Sequence, residues 1–95
     1  MSHQRDIERG SQAAQVIESE IYAEAYAAIE QEIHKQWAES RNPQEREELH
    51  RFLLAHQKTK KWLEAVMRNG QAAAKMLEQE QSRAERMTGY LSRRG

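Results

Sequence analysis

A single proline stands between two long stretches that contain neither glycine nor proline, residues 11–42 and 44–69, and it fixes how the chain divides. In Arg41-Asn42-Pro43-Gln44-Glu45, Asn42 suits a helix N-cap. Pro43 suits the first helical position, where no N–H is needed, and Glu45 stands where a capping box closes. A residue before proline is pushed out of the α region, so the upstream helix ends by Asn42. A connection this short predicts an antiparallel helical hairpin. The reading is a flexible polar tail over 1–10 and one helical domain over 11–91, with a basic tail at 92–95. The domain divides into helices at about 11–40, 43–69 and 71–91. Asn69-Gly70 reads as a helix stop followed by a bend, because glycine accepts the left-handed conformation after a last turn; the alternative is one helix that continues through Gly70, since an isolated glycine costs only about 1 kcal/mol relative to alanine.

The class is all-α: β-branched residues are few, and no stretch alternates apolar with polar over several positions. Only 38% of the 95 residues are hydrophobic against 32% charged, which is little apolar material for a chain of this size to fold alone. A homo-oligomeric bundle or ring is therefore expected. The absence of cysteine excludes a disulfide scaffold and thiolate metal sites, and no apolar run is long enough to span a membrane. Residues 1–10 lack the apolar core of a signal peptide, so the expected place is the cytoplasm.

On the first helix, Ala14, Ile17, Ile21, Ala25 and Ala28 mark one side, and Tyr22, Tyr26, Ile29, Ile33 and Trp37 an adjacent one. A face that shifts in this way suits more than one neighbour. The second helix shows a heptad-like seam: Leu49, Phe52 or Leu53, His56, Thr59, Leu63, Val66 or Met67, then Gly70. Two polar residues at its centre need partners, a tyrosine hydroxyl of the first helix being one. The expected packing and oligomer set is Ile17, Ile21, Tyr22, Tyr26, Ile29, Ile33, Trp37, Leu49, Phe52, Leu63 and Val66.

Charge is neutral in sum but divided. Residues 1–48 carry 5 Lys+Arg and 11 Asp+Glu (−6), whereas residues 49–95 carry 10 and 4 (+6). Arg51, Lys58, Lys61 and Arg68 fall within about a 100° arc of the second helix, flanked by Trp62. This is either a solvated face that complements another helix or a surface for DNA phosphates. Glu47 and His50 have the Glu-x-x-His spacing of di-iron bundles, with Glu30 and Glu32 as further ligands, but they lie off the apolar seam where such a site is built. No metal and no cofactor is expected. Neither a nucleophile motif nor a glycine-rich phosphate loop is present, so the expectation is a protein that is not an enzyme.

Residues 28–77 resemble a group of short helical proteins of tailed phages, from gene regions for heads and DNA packaging. The matching features are a helix ending at Trp37, a start to the next helix at Glu45, Arg46 and Glu47, and a seam through Leu49 and Leu63 that ends at Gly70. The resemblance implies a phage assembly or packaging accessory similar to a small terminase subunit. Its implied partners are itself, other packaging or virion proteins, and DNA, in the host cytoplasm or the virion. Residues 1–10 are too few for the DNA-binding helix-turn-helix such subunits carry, and other virion or host-inhibitor roles stay open.

Overall fold

The computed structural model describes the backbone of residues 2–94 and the side chains of residues 2–89. It is all-helical: α1 (His3–Ile17), α2 (Glu20–Glu39) and α3 (Pro43–Arg94). At 1.5 Å per residue, the 52 residues of α3 span about 78 Å, nearly the longest dimension of a molecule measuring 81 × 25 × 17 Å. The radius of gyration is 22.1 Å, against about 13 Å for a compact chain of this length.

The start of α3 follows the sequence. Asn42 Oδ1 accepts from the Gln44 N–H at 3.0 Å, and the Arg46 N–H donates to the Asn42 carbonyl at 3.0 Å. Residues then meet in reverse sequence order along α3. Arg46 lies on Trp37, His56 on Tyr26, Gly70 on Gly10, and Glu80 accepts from His3 at 3.2 Å. The numbers of these four pairs sum to 80–83, and contacts up to about one turn to either side (Asp6 with Gly70, Tyr26 with Lys60, Glu30 with Gln57) bracket that sum, so α1 and α2 together run back along one side of α3.

Three expectations are corrected. First, the stretch read as a tail over 1–10 is most of α1. Ser2 caps it by accepting from the Gln4 N–H at 3.2 Å, and Asp6 sits in the first turn, where a negative charge favours a helix. Second, the helix expected over 11–40 breaks at Glu18 and Ser19 without glycine or proline. The Ser19 backbone is extended, its hydroxyl accepts from the Tyr22 N–H at 3.4 Å, and its carbonyl takes the first N–H of the next helix. The shift of the apolar face noted in the sequence is largely this break. Gly10, Ala13 and Ile17 face α3 from α1, and the next inward residue is Tyr22, five positions on instead of three or four. Third, α3 neither stops nor bends into a new helix at Gly70, and it continues through the expected tail to Arg94; Gly95 lies outside the described residues.

Gly70 is a contact residue. A Cβ built on it would lie 2.8 Å from both the Gly10 Cα and the Asp6 carbonyl oxygen; one built on Gly10 would lie 2.8 Å from the Gly70 Cα. Neither glycine has positive φ, so the missing side chain serves close approach rather than backbone freedom. Around this crossing Gly10, Ala13, Gly70 and Ala73 are buried. Further along, the seam of α3 repeats every seven residues through Leu49, His56, Leu63, Gly70 and Leu77, each buried or half-buried. Leu53 and Lys60 complete it, whereas Phe52 and Thr59 point outward, and the Thr59 hydroxyl donates back to the Ala55 carbonyl at 3.4 Å.

Glycine to alanine therefore has opposite signs within one helix. Gly89 has nothing within 4 Å of an added Cβ, so Gly89→Ala gains about 0.5–1 kcal/mol of helix propensity. Gly70→Ala and Gly10→Ala lose about 1–3 kcal/mol to overpacking, partly offset by that gain. Urea unfolding followed by circular dichroism should show the first variant stabilised and the other two destabilised.

Candidate interaction surfaces

The middle of the α2–α3 contact is aromatic and polar. The Tyr26 and His56 rings stack with centroids 4.1 Å apart and planes inclined by 22°, and His56 Nε2 donates to the Tyr26 carbonyl at 3.0 Å. The partner of His56 is thus a tyrosine backbone oxygen and not the tyrosine hydroxyl expected from the sequence. Lys60 Nζ stands 4.6 Å above the Tyr26 ring, and the Gln57 amide donates to Glu30 at 3.5 Å. Burial pushes the Tyr26 phenol above its ordinary value of 10.0, and Glu30, Tyr22 and Glu64 push it the same way.

Next to the turn, the Arg46 guanidinium lies 3.7 Å from the centroid of Trp37. Its Nε is shut away from solvent without a hydrogen-bond acceptor, and the ring face is what the cation has in place of one. Beside this pair a depression of about 260 Å³ is lined by Ile33, His34, Trp37, Leu49, His50 and Leu53.

The four basic residues singled out on α3 are all exposed. Arg51 donates to Glu47 at 3.1 Å across open surface, a bond worth little in stability. Continuity of α3 through Gly70 carries this face past the bend favoured there from the sequence. At the outward seven-residue positions (51, 54, 58, 61, 65, 68, 72, 75, 79, 82 and 86), Lys75 and Arg86 join Arg51, Lys58, Lys61 and Arg68, and no acidic residue interrupts them. The stripe is about 52 Å long. Opposite in sign is α2, which carries Glu20, Glu24, Glu30, Glu32 and Glu39 against Lys35 alone.

The expected packing set divides in two. Leu49 is buried, and Ile17, Tyr22, Tyr26, Ile33, Leu63 and Val66 are half-buried between the helices. Ile21 (72% exposed), Phe52 (63%), Ile29 (51%) and Trp37 (43%) are open, as are Trp62 (59%) and Met76 (51%). Although α2 is the least polar of the three helices, none of its residues is fully buried.

Of the carboxylates weighed as metal ligands, Glu47 is held by Arg51, while Glu30 accepts from Gln57 and lies 3.8 Å from His34. Among the described residues no group of three or more histidine and acidic side chains is placed to hold a metal ion. No described helix is long and apolar enough to cross a membrane. No protein-family model, curated protein or solved structure matches the chain.

The raised Tyr26 phenol has a sign that can be checked. A group whose folded pKa lies above its unfolded value contributes stability below pH 10, and that stability is lost as pH rises through the folded value. Ultraviolet titration of tyrosinate should show a component ionising above 10 that disappears in Tyr26→Phe, and the variant should lose less stability than the parent between pH 10 and 11. Identical titration curves would mean that the α2–α3 contact does not shield the Tyr26 phenol.

Proposed function

We propose that this protein is a non-enzymatic assembly factor that works by self-association through its helices. The observation that carries the reading is surface. The chain exposes 7974 Å², roughly 2,300 Å² more than a compact protein of 11.2 kDa would expose. A stable interface takes about 800 Å² from each partner. Large apolar side chains are exposed along the chain, and the least polar helix has no fully buried residue. In the setting implied by the resemblance to short tailed-phage proteins, such a factor serves head assembly or DNA packaging in the manner of a small terminase subunit. Other copies of itself are its first partners.

A second reading rests on the acid-free basic stripe of α3. Six cations along one edge suit the phosphates of a nucleic acid, with an affinity that falls steeply with salt. The neutral overall charge and the acidic α2 place this reading behind the first.

Light scattering after size exclusion separates them. Self-association through apolar faces gives a discrete mass that is a multiple of 11.2 kDa, survives 0.5 M salt, and does not change with duplex DNA. If the basic stripe is the working surface, the chain instead shifts with DNA at low salt, and Lys58→Glu with Lys61→Glu abolishes the shift. A monomer at every concentration and salt would overturn the first reading.

A further inference from the structure

Of the exposed apolar side chains, Leu54 stands on the basic stripe and Trp37 toward another side, but Val16, Ile21, Phe52, Trp62 and Met76 gather on one flank. Val16 lines two adjoining depressions, one with Ile21, Tyr22 and Ala25 and the other with Trp62, Leu63 and Val66. Ile21 of α2 and Trp62 of α3 therefore open on the same flank. Along α3 this flank follows positions 52, 55, 59, 62, 66, 69, 73 and 76, in alternating steps of three and four. That is a second heptad seam beside the first; α1 covers it at Ala73 and partly at Val66, and it presents Phe52, Trp62 and Met76 to the outside. Along α2 the same flank follows Ile21, Ala25 and Ile29. The Trp37 depression, lined by His34 and His50, opens on the opposite flank.

We infer that this flank is the interface of a two-fold dimer in which two copies close a four-helix bundle, α2 of each copy lying on α3 of the other. This inference rests on the self-association reading and deepens it by naming the face and the symmetry. A helix with two adjacent heptad seams is built for two neighbours, and α3 has only one within the chain. Charge selects between the two ways of placing the axis in the interface. An axis across the helices would lay basic α3 on basic α3, a like-charge arrangement that is penalised. An axis along the helices lays acidic α2 on basic α3, and every neighbouring pair of helices is then antiparallel.

That symmetry also sets the register. Residues facing each other within the chain have numbers summing to 80–83. An axis along the rod leaves heights unchanged, so the same sum governs contacts between copies. Glu24 and Lys58 sum to 82; both are exposed at the edge of the flank, and neither is ion-paired among the described residues. Glu24 of one copy thus meets Lys58 of the other.

Because the chain lacks cysteine, introduced thiols report the contact without interference. Glu24→Cys and Lys58→Cys proteins, mixed and oxidised, should form a disulfide-linked heterodimer, while neither links to itself. Phe52→Glu and Trp62→Glu, at exposed sites that spare the fold, should keep full helicity by circular dichroism and weaken association by roughly 30-fold or more. A parent chain that is monomeric throughout overturns both this inference and the function it rests on. An oligomer that keeps its mass in both glutamate variants overturns the flank and leaves self-association standing. Lys58→Cys linking to itself overturns the placement of the axis.

Discussion

The crossing of two glycines holds the rest of the structure in place. Where Gly10 meets Gly70 the helix backbones touch, and no side chain separates them. This contact fixes α1 against the middle of α3, with Ala13 and Ala73 buried on either side of it. A leucine-packed crossing would have kept the helices further apart and drawn larger apolar residues inward. The narrow approach is one reason that so much of the apolar surface of this chain faces outward.

The Ser19 break is the necessary counterpart. A single straight helix from residue 3 to residue 39 would carry its inward face around the axis and lose α3 within a few turns, because the inward residues of α1 and α2 are out of phase. Two residues outside the helix restore the phase, with the Ser19 hydroxyl replacing a lost backbone acceptor. The aromatic seam then falls on His56, where stacking and one hydrogen bond to the Tyr26 carbonyl satisfy a polar residue in a position that a heptad normally gives to leucine.

Much of this was legible in the chain. Asn42 and Pro43 marked the turn because capping and proline sterics are local, and Leu49 and Leu63 marked a seam because heptad spacing is periodic. The errors came where a residue's role is tertiary. Gly10 and Gly70 read as tail and stop, since glycine in isolation signals flexibility, and only a second glycine brought to the same height shows that space is the requirement. The spacing Asp6, Gly10, Ala13, Ile17 was a helical signal within reach. The Ser19 break was partly visible as a change of apolar phase, but a serine cap without glycine or proline is a weak mark. The basic face was marked from Arg51 to Arg68, and whether Lys75 and Arg86 share it depends on α3 being continuous.

The glycine crossing has a thermal consequence. Gly10, Ala13, Gly70 and Ala73 remove little apolar area from water, so their share of the docking of α1 carries only a small heat-capacity change and varies little on warming or cooling. Contacts made through side chains such as Phe52 and Trp62 carry a large one and weaken in the cold. The two kinds of contact respond differently to temperature: the glycine crossing itself holds steadier than any association through the aromatic flank would.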